Sequence, residues 1–235
     1  MPVQSDAGTV PVVLDRTSGW GSVLLLAHRA GNDLSRLRAA EDAGADVVEA
    51  DVHLAGGRLE VRHLKGVGPL PLLWDRWELH ARTGPCLRLD ELLEAARPET
   101  RLMLDLKGVD LRLGRLVSET VARHGAGARV VVCSRFWPIV DRVEAPGVRR
   151  VYSAGNRVQL AGLRPRLHRR APDGVSVRRS LLDAPLVREL RHRVACVMTW
   201  PVAGVAEIER LRGWGVNGLI CDDLALVRAA RVEAA

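Results

Sequence analysis

The sequence predicts an α/β fold, a (β/α)8 TIM barrel with a small β-hairpin and loop insertion after its second strand. Three observations carry this expectation. Eight short β-branched or aliphatic runs recur along the chain, most of them separated by stretches with apolar residues at helical spacing. The polar residues of those runs gather toward their C-terminal ends, where barrel active sites lie. The length, 235 residues, accommodates one such barrel with a self-sufficient core. A doubly wound open sheet is the alternative, but no GxGxxG follows the first run.

In chain order, residues 1–21 are expected to form a peripheral extension and residues 22–235 the barrel domain. VLLLAH (23–28) is the first strand, and LSRLRAAEDAGAD (34–46) the first helical stretch. VVEADVHL (47–54) is the second strand. A Gly-Gly turn then joins two extended pieces, so RLEVRHLKG (58–66) is expected to fold back as a hairpin with His63 near its end. Residues 66–90, rich in Pro, Leu and Trp, are expected to cap one side of the mouth as a loop. LDELLEAARPE (89–99) leads into the third strand, RLMLDLK (101–107), and LRLGRLVSETVARHG (111–125) follows it. RVVVCS (129–134), RRVYS (149–153), GVSVRR (174–179), VACVMTW (194–200) and GLICDD (218–223) complete the set, with VAEIERLRGWG (205–215) between the last two.

Composition narrows the functional classes. There are 35 Lys+Arg against 28 Asp+Glu, a net charge of +7, yet only Lys65 and Lys107 are lysines and arginine is spread along the whole chain. With aromatics at 3%, little is available for base stacking, so no nucleic-acid partner is expected. No apolar run reaches the roughly 18 residues of a membrane span. The N-terminus lacks the pattern of a secretory signal, so a cytoplasmic protein is expected. Cys86, Cys133, Cys196 and Cys221 are far apart without CxxC spacing, and they read as free thiols, three of them in apolar strands.

Glu49 and Asp51 stand two apart on one strand and share a face, as do Asp105 and Lys107. Three carboxylates would therefore converge at the mouth. An all-oxygen set favours a hard divalent cation, Mg²⁺ or Ca²⁺, over Zn²⁺. The alternative is an internal salt-bridge network with Lys107 or Arg29. His28 and His63 flank the carboxylates at strand ends, and two imidazoles would serve as a base for the attacking oxygen and an acid for a leaving alkoxide. His53 is a weaker candidate, and His80, His124, His168 and His192 are expected on the surface. With a divalent metal and the cations Arg29 and Lys107, the carboxylates leave a charge that one phosphodiester would neutralise. Ser134 and Trp200 end later strands and are candidates for lining the pocket; Asp222 also ends a strand.

These residues, in this order, resemble the glycerophosphodiester phosphodiesterase family. The family pattern opens with HRG and PENT, continues through GAD-x-x-E-x-DV, a VVHHD-like segment, a PTLEEVL-like helix, IEIK and an SF pair, and ends with WTVN and GVDGIITDRP. The counterparts here are HRA (28–30), GNDL (31–34), AGADVVEADVHL (43–54), EVRHL (60–64), LRLDELLEA (87–95), LDLK (104–107), SRF (134–136), TWPV (199–202) and GVNGLICDDL (215–224).

The resemblance implies a (β/α)8 barrel that hydrolyses a small-molecule glycerophosphodiester to an alcohol and sn-glycerol 3-phosphate with a divalent metal, in lipid and glycerol metabolism. It implies that His28 and His63 are the acid-base pair, that Glu49, Asp51 and Asp105 hold the metal, and that Arg29 and Lys107 contact the phosphate. Direct attack by water and a cyclic phosphate intermediate both remain open. Four departures stand out: Gly31 replaces the PEN glutamate although Asn32 keeps the asparagine, Leu64 replaces an aspartate, Asp105 is one methylene shorter than Glu, and the TWPV and CDDL endings differ. Two further readings follow. One is a lysophospholipase D type activity, with Leu70, Leu72, Leu73, Trp74 and Trp77 accepting an acyl chain. The other is a catalytically weakened barrel that binds phosphorylated ligands.

Overall fold

The computed structural model describes residues 23–66, 72–75, 78–81 and 86–232. The expected extension over residues 1–21 lies outside them. Among the described residues there are twelve strands and eight α-helices. The first βα unit is β1 (Leu24–Ala27) and α1 (Leu34–Asp42). β2 (Val47–Ala55) is followed by β3 (Arg58–Val61), β4 (Lys65–Gly66), β5 (Leu72–Asp75) and β6 (Glu78–Ala81) before α2 (Leu89–Ala95). β7 (Arg101–Lys107) and α3 (Arg112–Arg123) come next, then β8 (Val130–Ser134) with the single-turn α4 (Trp137–Val140). The chain continues through β9 (Arg149–Ala154), α5 (Arg157–Arg169), β10 (Gly174–Arg178) and α6 (Ala184–Arg191). It ends with β11 (Cys196–Val202), α7 (Val205–Trp214), β12 (Gly218–Cys221) and α8 (Leu224–Val232).

Eight of these strands close into a parallel barrel in the order β1-β2-β7-β8-β9-β10-β11-β12, and β12 pairs back onto β1. The closure decides against the open sheet: β1 uses both edges, with Leu24↔Gly218 on one side and Leu26↔Val47 on the other. β3 runs antiparallel to β2 as a ninth strand. Ala55 and Arg58 pair across Gly56 and Gly57, whose φ of 55° and 77° are what a two-residue hairpin turn of this hand requires.

Side chains alternate between two apolar layers. Leu24, Leu26, Val47, Met103, Val131, Cys133, Val151, Cys196, Met198 and Ile220 plug the barrel interior. The opposite faces of the same strands pack on the helices, as Leu25, Val48, Ala50, Leu104, Val132 and Val197 do. The interior has no room to spare: a Cβ on Gly218 would lie 2.4 Å from Met198 Cγ. On β2 and β7 the inward series turns polar toward the C-terminal end, Val47-Glu49-Asp51-His53 beside Arg101-Met103-Asp105-Lys107 in register. The apolar plug is thus the floor of a polar mouth.

Most of the expected strand and helix boundaries fall within a few residues of the observed ones. The clearest difference is the stretch read as a capping loop, where β4, β5 and β6 form a small antiparallel sheet. Consecutive Leu72, Leu73 and Trp74 hide the period-two alternation that marks a strand. Residues 70 and 77 of the proposed acyl-chain loop lie outside the described residues, and the side chains of 72–74 are likewise not described. Cys133, Cys196 and Cys221 are buried free thiols, and Cys86 is a partly exposed one. Among the described residues no helix is long and apolar enough to cross a membrane.

Candidate active site

The site is built by the C-terminal ends of β1, β2 and β7. Glu49 and Asp51 are inward and buried, at 3% and 0% exposure, and Asp51 sits in register with Asp105. One ligand oxygen from each of Glu49, Asp51 and Asp105 lies within 4.8 Å of the others. Burying carboxylates this way is costly unless cations or donors compensate.

Compensation comes from three directions. Lys107 Nζ contacts Asp105 Oδ2 closely and lies 2.7 Å from Asp51 Oδ1. Arg29 Nε is 3.8 Å from Asp51 Oδ2, while the Arg29 backbone N–H donates to Glu49 Oε2 at 2.5 Å. That N–H reaches Glu49 because Arg29 adopts a left-handed conformation, φ 54°, unusual for a residue with a side chain. Asn32 makes a reciprocal pair with Asp51, donating through Nδ2 to Oδ2 at 2.8 Å and accepting from the Asp51 N–H at 2.7 Å.

The electrostatics separate the carboxylates. Burial, reinforced by the charges of Asp51 and Asp105, pushes the Glu49 carboxyl well above the usual range. Burial acts on Asp51 in the same sense, but Lys107, Asn32 and Arg29 outweigh it and hold Asp51 below its ordinary value. Burial would lower the Lys107 ammonium, and Asp105, Asp51 and Glu49 together raise it instead. The alternative salt-bridge network is therefore present around Asp51, Asp105 and Lys107, and it leaves capacity for a cation. Asp51 Oδ1 is buried and, among the described residues, meets the Lys107 ammonium 2.7 Å away. Oxygens up to 4.8 Å apart suit a hard cation with bonds of about 2.4 Å. Glu49, Asp51 and Asp105 fit a divalent metal by donor chemistry and spacing.

Both candidate histidines flank this cluster. His28 directs Nε2 toward Glu49 Oε2, 4.0 Å away, while its Nδ1 makes a short hydrogen bond to Asp222 Oδ1. Burial lowers the His28 imidazole despite the opposing pull of Asp222. His63, just past β3, places Nδ1 3.4 Å from Asp51 Oδ2. His53 lies further along the inward face, and burial together with Arg62 lowers it to about 4. His168 and His192 are exposed, and the side chain of His80 is not described. His124 is instead largely covered and bonded to Asp90 at 3.0 Å.

Two clefts open at the mouth. The smaller, about 90 Å³, is lined by His28, Glu49, Ser153, Ser176 and Trp200. The larger, about 690 Å³, is lined by His53, His63, Ser134, Phe136 and Gln159. Arg29, Asp105, Lys107 and Arg135 border both. Ser134 has a structural use as well: its hydroxyl donates to Leu106 O at 2.7 Å and accepts from Phe136 N–H at 3.1 Å. Trp200 carries the guanidinium of Arg135 over its ring, 4.8 Å from the centroid.

Three participants had no role in the sequence reading. Asp222 was visible only as a polar strand end, because the β1–β12 closure that brings it to His28 joins residues 194 apart. Asn32 had a signal in the retained PEN asparagine. Arg135 had one in the SRF triplet, where an arginine enters the expected SF pair.

No protein-family model and no curated protein matches the chain. Solved structures do. A Silicibacter pomeroyi DSS-3 protein assigned as a glycerophosphoryl diester phosphodiesterase superposes with a TM-score of 0.73 at 18% identity, covering 91% of this chain and 94% of that one. An Oleispira antarctica phosphodiesterase in complex with the product sn-glycerol-3-phosphate gives 0.72 at 17% identity, over 89% and 96% of the two chains. The glycerophosphodiester phosphodiesterase of Thermotoga maritima gives 0.70 at 18%, over 91% and 98%. The chain shares its (β/α)8 fold, over about nine tenths of its length, with solved proteins named as phosphodiesterases.

Proposed function

We propose that this chain is a metal-dependent glycerophosphodiester phosphodiesterase, releasing an alcohol and sn-glycerol 3-phosphate by histidine acid-base catalysis. The observation that carries the reading is the pair of imidazoles, one beside Glu49 and one beside Asp51, on the two sides of a three-carboxylate cluster that also holds Lys107 and Arg29. The solved phosphodiesterases of the same fold, one with sn-glycerol-3-phosphate bound, support it.

In this mechanism the phosphodiester lies at the junction of the two clefts. Arg29 and Lys107 contact its non-bridging oxygens and stabilise the charge that develops there. His28, whose Nδ1–H is engaged by Asp222, presents Nε2 as the base and takes the proton of the attacking oxygen. That oxygen bonds to phosphorus, the bond from phosphorus to the alcohol oxygen breaks, and His63 delivers a proton to the departing oxygen. Glu49, Asp51 and Asp105 would hold the divalent metal, Mg²⁺ or Ca²⁺, which when bound supplies Lewis-acid polarisation of the phosphoryl group. Asn32 fixes the Asp51 carboxylate, so a departure elsewhere in the PEN segment need not displace it.

The test is glycerol 3-phosphate release from glycerophosphocholine, glycerophosphoethanolamine and glycerophosphoinositol, with EDTA, Mg²⁺ and Ca²⁺ in parallel. Release that EDTA abolishes and a divalent cation restores is expected. Binding of these compounds without turnover under any metal would favour the weakened, ligand-binding barrel instead.

A further inference from the structure

The two clefts divide the catalytic residues between them. His28 lines only the smaller and His63 only the larger. If His63 protonates the leaving oxygen, the departing alcohol occupies the larger cleft, and that cleft's lining then sets the preferred head group. This step rests on the acid-base assignment above.

Among the described residues the charged lining there is Arg29, Lys107 and Arg135 against the carboxylate of Asp105. Lys107 is engaged by Asp51 and Asp105, and Arg29 lies close to Asp51. Arg135 differs, since among the described residues it forms no ion pair. Its guanidinium is nonetheless held in place. It lies over the Trp200 ring, and so close to Gly155 that a Cβ there would be 2.9 Å from Arg135 Cζ. Gln159, which lines the same cleft, uses Oε1 to accept from the Gly155 N–H at 2.8 Å, so its amide NH2 is the group left to donate. A guanidinium lying over an indole and, among the described residues, without a carboxylate partner is preorganised for an anionic ligand group.

We propose that Arg135, with Gln159 beside it, is a specificity determinant that selects glycerophosphodiesters whose alcohol carries an anionic group, a phosphate or a carboxylate. A cationic head group such as choline would meet an uncompensated guanidinium in the same cleft.

Three probes grade the head-group charge: glycerophosphoinositol 4-phosphate, glycerophosphoinositol and glycerophosphocholine. The wild-type chain should show kcat/KM falling in that order, with the anionic probe ahead of the neutral one by about fivefold, the upper end for an ion pair made by an exposed arginine. Arg135→Gln should bring that ratio to within about twofold. Gly155→Ala keeps the charge but pushes the guanidinium aside, and should reduce the ratio as well. A ratio unchanged in Arg135→Gln, or all three substrates falling by one common factor, overturns the proposal. Absence of turnover in the wild type on all probes would refute the hydrolase reading alone. Equilibrium binding of the two inositol compounds then decides: an Arg135-dependent preference for the 4-phosphate sustains the anion subsite, and equal affinity overturns it.

Discussion

Gly31 stands where the family pattern has a glutamate, and the structure shows why no side chain fits. It is buried in the turn after Arg29, and a Cβ built there lies 2.8 Å from Ala50 Cβ and 3.1 Å from Glu49 O. Ordinary carbon contacts are about 3.5–4.0 Å, so Gly31→Ala must open this interface by roughly 0.7 Å. Neither opposing atom can yield by a rotamer change, because one is backbone and the other a β-carbon on the buried strand β2. The turn must move, and it carries the Arg29 N–H bonded to Glu49 and the Asn32 side chain bonded to Asp51.

Overpacking of this kind costs about 1–3 kcal/mol. For a chain of this size each kcal/mol lowers Tm by about 2–4 °C, so a drop of about 2–12 °C is expected by circular dichroism or calorimetry. Misplacing the site by a fraction of an ångström should also cut kcat by about tenfold or more. Ala50→Gly removes the nearest clashing atom, so the double variant should be less destabilised than the sum of the singles by about 1 kcal/mol. An unchanged Tm and kcat in Gly31→Ala, or strict additivity with Ala50→Gly, would refute the reasoning.

Asp222→Ala should lower kcat by about 5–30-fold with little change in KM or Tm, since the His28 contact is charge-assisted while the Asp222 side chain is 62% exposed; steady-state kinetics with a melting curve checks this. Mg²⁺ or Ca²⁺ at about 100 times its dissociation constant should raise the wild-type Tm by about 5–10 °C, and Asp51→Asn should abolish the rise. Away from the site, Glu41 accepts from Arg97 N–H, Thr100 Oγ1 and Arg38 Nη1 at 2.6–2.9 Å with its side chain 2% exposed. Burial opposes its charge, but these donors win and hold the carboxyl below the usual range. Its stabilisation is therefore full above the unfolded pKa and lost as pH falls through the lowered folded value. Glu41→Gln should cost about 1.5–3 kcal/mol near pH 7, and urea unfolding should show the gap to wild type closing below about pH 4.5.

The barrel was legible because each strand is a compact aliphatic run, and the site was legible because inward carboxylates at strand ends are too costly to be incidental. Glu49 and Asp51 needed only period-two alternation to be placed on one face, and Asp105 needed only the third strand. What was not legible depends on closure or on tertiary contact. Asp222 meets His28 only when the last strand reaches the first. Asn32 holds Asp51 because a left-handed Arg29 turns the chain back across β2. The conflict at Gly31 exists only once Ala50 is set opposite it. The β4–β6 sheet escaped because its apolar residues are consecutive rather than alternating.

The most direct test is glycerol 3-phosphate release by the wild-type chain beside His28→Ala and His63→Ala, with divalent metal present and folding checked by the melting curve. Release by the wild type, with loss of about a hundredfold or more in each variant at unchanged Tm, is the predicted result. Near-normal turnover in either variant would contradict the acid-base pair at the centre of the account.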